Sequence, residues 1–362
     1  MSPAGGVREL VRLRPHAGAH RVALRVGVSV LVPLLVLWLV GRPQWSIYAA
    51  FGAFSSLYGR NRVHLTRLRM QATLGLLLTV AVTLGVVVGS TAARAWWSVP
   101  VAAVLAGTAA VLSDLQDWHP PGPLFLVFGF AATASVPARG ADVPVAAGVA
   151  AASALFAVLV GSLGWRGRPD GPQPAPDEHR LAALWRDGTV RLHLVRYLSA
   201  VLLAGTIASG LHLVVPGARI GHPYWAMVSA VVPMAARDLT GQLTRAAHRV
   251  GGTAVGLGLS VLVLSPHPRG LLLIGFIVVL QVLAELFVGR NYGLALVFIT
   301  PLALLMGEIV VQHPVRGLLL DRGVETVIGV AVAVGVTVLT RDRSSYPADD
   351  APEPGKSAAT GS

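Results

Sequence analysis

The sequence predicts an all-α integral membrane protein of about twelve transmembrane helices, arranged as two parallel six-helix repeats related by a pseudo-twofold axis along the membrane normal. Three observations carry this. Of the 362 residues, 54% are hydrophobic and only 13% charged, about half the charge of a soluble domain. The residues between charges form runs close to the roughly 20 that cross a bilayer as a helix. The turn Gly41-Arg42-Pro43-Gln44-Trp45 also returns, 180 residues later, as Gly221-His222-Pro223-Tyr224-Trp225.

In chain order the runs free of Asp, Glu, Lys and Arg are 26–41, 43–59, 70–93, 95–113, 119–138, 143–165, 197–218, 220–236, 250–268, 270–284, 291–307 and 326–340. Most reach or approach spanning length. Runs 270–284 and 326–340 are short, and span only if Glu285 and Glu325 enter the membrane. Run 26–41 follows arginines, as a signal peptide would. It continues into Trp38-Leu39-Val40-Gly41-Arg42-Pro43 without a small-residue cleavage site, so it reads as a retained helix.

An even number of spans leaves both ends on one side. Placing the termini in the cytoplasm puts 22 of the 29 basic residues inside and only Arg42, Arg94, Arg139, Arg219, Arg269, Arg316 and Arg322 outside. That is the asymmetry the positive-inside rule requires. The expectation is a multi-pass protein of the cell membrane, with both termini cytoplasmic and the lipid bilayer as its first partner.

The 180-residue offset also aligns Ala50 with Ala230, Arg69 with Arg249, Thr73 with Thr253 and Leu77 with Leu257. Other offsets pair Arg25 with Arg196, Asp114 with Glu285, and Leu126-Val127-Phe128 with Leu296-Val297-Phe298. Six spans return the chain to its starting side, so the repeats run parallel. The units are then 1–165, a first repeat with a basic leading segment; 166–196, a cytoplasmic linker; 197–340, the second repeat; and 341–362, a polar tail. The linker opens with a Pro- and Gly-rich stretch and continues into an expected amphipathic helix from Asp177.

Composition excludes several function classes. Lys356 is the only lysine, so the formal net charge of +12 is almost wholly guanidinium. The arginines punctuate apolar runs instead of covering a polar face, which argues against a nucleic-acid partner. Without cysteine there is no disulfide or thiolate metal site. No phosphate-binding Gly-x-x-x-x-Gly-Lys-Ser/Thr loop occurs, and no span carries His-x-x-x-His or Glu-x-x-His to hold a metal. Neither catalysis, a cofactor nor a metal is expected.

In the second half, the stretch from Pro223-Tyr224-Trp225 to Pro233 is followed by Thr240-Gly241-Gln242-Leu243-Thr244-Arg245 and then Arg249-Val250-Gly251-Gly252-Thr253-Ala254-Val255-Gly256. It resembles the signature of the fusaric acid resistance proteins, the aromatic acid exporter family: a Trp-led helix, a basic loop and an Arg-x-x-Gly-Thr-x-x-Gly helix start. Gln71-Ala72-Thr73 with Gly75 makes a weaker copy in the first half. The resemblance implies six-helix membrane units, efflux of aromatic carboxylic acids or related small molecules, and distant kinship to the plant aluminium-activated malate channels. In those channels two six-helix units pair around an anion path. A small organic anion is thus the expected cargo, with a homodimer or an accessory efflux subunit as the open alternatives for a protein partner. Two functions compete with export: a passive organic-anion channel, and a component of envelope assembly that transports nothing.

Eight residues form the candidate substrate site. The short second and eighth runs carry Gly52 and Pro233 at nearly matching positions, and paired interrupted segments point to a transporter's central site. Trp45 and Trp225 open these runs; the usual reading is an aromatic belt at the membrane surface, and the alternative is a platform for stacking substrate. Arg69 and Arg249 open the third and ninth runs, one turn before Thr73 and Thr253. A guanidinium pairs bidentately with a carboxylate, and it also serves as a snorkelling anchor. Arg67 and Arg245, in the adjoining loops, would gather anions at the cytoplasmic mouth. Asp114 and Glu285 end the fourth and tenth runs on the inside. Carboxylates at that depth carry protons or ions, or pair with arginine, Arg290 being at hand for Glu285. Glu308, Asp321, Arg322 and Glu325 are assigned to the outer side. Gly75, Gly85, Gly89, Gly252, Gly256 and Gly258 have small-xxx-small spacing and predict close helix packing.

Overall fold

The computed structural model describes residues 13, 18–59, 64–163, 185–186, 188–214, 223–236, 238–309 and 314–340. The expected amphipathic helix of the linker and the tail 341–362 lie outside them. The first half contains α1 (Ala19–Leu39), α2 (Ser46–Ala53), α3 (His64–Gly89), α4 (Arg94–Gln116), α5 (Leu124–Ser135) and α6 (Asp142–Ser162). The second contains α7 (Thr189–Val214), α8 (Tyr224–Val231), α9 (Leu239–Leu264), α10 (Gly270–Val288), α11 (Tyr292–Glu308) and α12 (Val315–Leu339). Among the described residues there is no strand.

Eight of these helices, α1, α3, α4, α6, α7, α9, α10 and α12, are long and apolar enough to cross a membrane, and the chain is a multi-pass integral membrane protein. Only 33% to 50% of each spanning window is buried in the protein. The remaining apolar faces, with Leu24, Leu76, Leu203 and Leu262 exposed, suit lipid.

Four of the expected spans fall short of a spanning helix: α11 narrowly, with 17 residues, and the other three for local reasons. The second and eighth runs yield only α2 and α8, of eight residues each, followed by 3-10 turns at Phe54–Leu57 and Pro233–Ala235. Pro233 has no N–H to continue α8. The fifth run is helical only over α5, because Pro120, Pro121 and Pro123 precede it and Pro137 follows.

Five helices, α1, α3, α7, α9 and α12, begin earlier than the charge pattern suggests, so Arg67 lies within α3 and not in a loop, and the shift is largest for α9 and α12. The segment read as a basic loop before Arg249 is the first part of α9, started by Asp238, whose carboxylate accepts the Gly241 N–H at 2.9 Å. Arg249 therefore stands ten residues, about 15 Å, inside the helix. Likewise α12 begins after Pro314, so Asp321, Arg322 and Glu325 lie within a 25-residue helix and not in an outer loop. On α10, Glu285 falls inside the helix, as its length required.

In the first half α3 packs on α5 and α6, and α2 on α1 and α6; in the second α9 packs on α11 and α12, and α8 on α7 and α12. Between the halves α4 packs on α7, α1 on α10, and α5 on α8. Several of the spaced glycines sit at these contacts. A Cβ on Gly85 would lie 2.4 Å from the Phe130 carbonyl oxygen, and one on Gly256 3.0 Å from that of Leu296. Gly258 faces open space and packs nothing.

Candidate functional site

All eight residues of α8 are buried, which puts Trp225 inside the protein at 1% exposure. The first N–H groups of a helix have no partner within it, and the Trp225 N–H donates to Glu325 Oε2 of α12 at 3.2 Å. One turn before Glu325 on α12, Arg322 reaches over the indole. Its Cζ is 3.8 Å from the ring centroid and its exposure is 1%. A desolvated guanidinium on a Trp face is a strong cation–π pair. Nε and Nη1 of Arg322 and Nε1 of Trp225 are all buried with no hydrogen-bond partner among the described residues.

Arg249 approaches α8 from α9. It is buried and donates Nη2 and Nε to Ser229 Oγ, at 3.1 and 3.4 Å. One turn earlier, half-buried Arg245 lies over the ring of Tyr292, 5.7 Å from its centroid.

These side chains line one cavity of about 370 Å³, the size that holds a small organic molecule. Arg245, Arg249, Arg322, Trp225 and Tyr292 form its second-half wall, with Gln281 and apolar side chains; among the described residues no Asp or Glu lines it. The first half contributes Phe54, Tyr58, Phe125 and Phe128 and the loop His119–Pro123. Phe125 makes edge-to-face contacts with Phe54 and Tyr58, while Phe128 packs edge-to-face on Phe51 and against Trp225 with centroids 5.2 Å apart. The loop is held by Gly59 N–H donating to the His119 carbonyl at 2.9 Å and Gly122 N–H donating to Ser113 Oγ at 2.8 Å.

Of the residues expected from sequence, the structure brings Arg249, Arg245 and Trp225 together. Burial of Trp225 removes it from any aromatic belt. Trp45 does not join it: it is partly buried at the entrance of α2, under the Arg42 guanidinium at 5.2 Å. Arg69 is exposed on α3 and lines no part of the cavity. The repeat does not put the two arginines at the same depth: Arg69 stands five residues into α3 and Arg249 ten into α9. Arg67 is spent on structure, donating Nη2 to the Gly161 carbonyl at 2.9 Å. Thr73 is partly buried away from the cavity, and Thr253 is fully buried behind it with an unpartnered hydroxyl.

The two candidate coupling carboxylates also lie off the cavity. Asp114 Oδ2 is 2.7 Å from Nδ1 of His193, so its partner is a histidine on α7 and not an arginine. Glu285 is buried on α10, one turn beyond Val282, which packs on Gly27 of α1. They occupy the two main contacts between the halves. Sequence reasoning missed Arg322 and Glu325 as members of the site. Their spacing with Gly329, at i, i+3 and i+7, would have shown one helix face had the helix been started after Pro314.

Residues 200–336 match the model of the family described as fusaric acid resistance protein-like, so the resemblance read from Pro223 to Gly256 extends over most of the second half. An uncharacterised membrane protein of Bacillus subtilis (strain 168), YvaC, is 25% identical over 202 residues. Those residues are 54% of this chain and 31% of that protein, so the match spans about a third of the relative's length. No solved structure matches the chain.

Proposed function

We propose that the protein exports small organic anions, foremost aromatic carboxylates, through the cavity between its halves, without a chemical step. The observation that carries this is that, among the described residues, three guanidinium groups and no carboxylate line a largely aromatic and apolar cavity. A cation at membrane depth is costly and usually marks a substrate or ion path. A carboxylate accepts the hydrogen bonds of a guanidinium in its own fork geometry, and the aromatic walls suit the apolar body that carries it. The match to the fusaric acid resistance protein-like family supports the same reading.

Two six-helix repeats remain the proposed architecture. Each helix contact named within the first half has a counterpart in the second when α1 to α6 are matched to α7 to α12, and the same matching exchanges α4–α7 with α10–α1. With the termini in the cytoplasm, Arg245 and Tyr292 stand at the inner mouth, where Arg245 would capture anions before they pass to Arg249. Protein reconstituted in vesicles loaded with radiolabelled benzoate should accelerate its loss over protein-free vesicles, and Arg249→Ala should reduce that flux while inserting normally. Equal loss from both kinds of vesicle, for benzoate and for larger aromatic acids, would end the transport reading.

A further inference from the structure

We infer that Arg322, held on the face of Trp225, receives the anion's charged head group, and that the chain has one such site, built by the second half alone. The inference rests on the transport reading for its ligand class but on separate observations for its place. The three cavity arginines are not equivalent. Arg249 already gives two N–H groups to Ser229. Arg245 is half-exposed at the mouth, over Tyr292. Arg322 is fully buried, and its Nε and Nη1 meet no acceptor among the described residues. The indole N–H of Trp225 is in the same position.

Three unmet donors on two stacked groups, both lining the cavity, ask for an acceptor with several lone pairs and no proton of its own. An ionised carboxylate is such a group. The indole fixes the guanidinium before the ligand arrives, so little side-chain freedom is lost on binding. Glu325, one turn on, gives its Oε2 to the Trp225 backbone N–H, and the Nε and Nη1 of Arg322 stay without an acceptor among the described residues.

The first half supplies no second site. Its share of the cavity is aromatic side chains and a proline-rich loop, with His119 as the one basic group. After Asp142, α6, the counterpart of α12, has no charged residue to its end. Arg69, the counterpart of Arg249, is exposed on α3. The ligand's ring then lies toward Phe125 and Phe128 while its head group lies toward α12.

Equilibrium dialysis of radiolabelled benzoate against the full chain in detergent tests this. We expect saturation at one benzoate per chain, affinity at least tenfold weaker in Arg322→Gln and in Arg322→Lys, which keeps the charge but loses the planar fork, and unchanged affinity in Arg69→Gln. Two benzoates per chain, no saturable binding, or wild-type affinity in both Arg322 variants would overturn the assignment. If the variants do not fold, photolabelling of the unaltered protein with 4-azidobenzoate decides: adducts within 125–130 or 224–232 support the site, and adducts confined elsewhere overturn it. Vesicle flux separates the two readings. Arg322-independent binding with intact benzoate flux refutes this site and spares transport, whereas one Arg322-dependent benzoate per chain without flux keeps the site and refutes transport.

Discussion

Replacing Gly329 with alanine should push α12 off α8 and disturb the cavity from behind. A Cβ at Gly329 would stand 2.2 Å from the Ala226 carbonyl oxygen, 3.0 Å from its carbon and 2.8 Å from Ser229 Cβ. Two of these are backbone atoms of a buried helix and cannot swing aside. Carbon and oxygen approach to about 3.3 Å without repulsion, so the helices must part by about 1 Å. Overpacking of this kind costs about 1–3 kcal/mol, and stretching the Trp225 N–H bond to Glu325 forfeits part of about 1.5 kcal/mol more. Alanine returns about 1 kcal/mol in helix propensity, leaving a net loss of up to about 3 kcal/mol. Gly335 is the internal control: it lies on the same helix, but a Cβ there meets nothing within 4 Å, so Gly335→Ala keeps the propensity gain without the clash. Arg322 sits two turns before Gly329 on the same face, and a 1 Å displacement of a binding group is worth about a hundredfold where geometry is tight. Thermal melting in detergent and benzoate dialysis should both rank Gly329→Ala well below Gly335→Ala. Equal melting temperatures and equal affinities in the two variants would refute the close α8–α12 contact as the support of the site.

Three further outcomes are expected. Arg249→Ala removes a cavity cation and both bonds to Ser229, and should cut benzoate flux about tenfold or more, while Arg69→Ala leaves it at the wild-type rate; equal losses in the two would restore the equivalence that the sequence suggested. Arg245→Gln should slow uptake at the inner mouth at low ionic strength and matter much less near 1 M salt, where screening acts within about 3 Å; a salt-independent deficit would mean that Arg245 binds substrate directly. Asp114→Asn weakens a contact with His193 whose side chains are 22% and 30% exposed, so it should cost under about 1 kcal/mol in melting experiments and leave the pH profile of flux unchanged; a flattened profile in a stable variant would make Asp114 a coupling residue.

Membrane spans were legible because lipid leaves few alternatives to a long apolar helix, and the eight long helices follow charge-free runs. The short ones were not, since α2 and α8 have the apolar content of a span and end for reasons of local backbone chemistry. Charges misled in the opposite direction. In a count of charges Arg249 bounds a run and Arg322 lies outside any, yet Asp238 and Pro314 start their helices well before them. Arg69 and Arg249 stand in the same sequence context and differ in depth, since α3 starts five residues before the one and α9 ten before the other. The aromatic wall of α5 was invisible as a site feature, since phenylalanines in an apolar run carry no sign of which face they line.

In the proposed two-repeat frame the site does not follow the pairing of the helices, and electrostatics explains why. Helix packing between halves needs small residues and shape, as where Gly107 of α4 meets Leu194 of α7 and Gly27 of α1 meets Val282 of α10, and such contacts can be doubled at no cost. A buried guanidinium cannot. Each one loses its hydration, and a mirrored set of arginines from the first half would crowd like charges into the same cavity of about 370 Å³, where the low dielectric magnifies their repulsion. A single charged wall facing a wall of Phe54, Phe125 and Phe128 avoids that penalty. It also presents an amphipathic anion with a place for each of its ends, which two identical walls would not do.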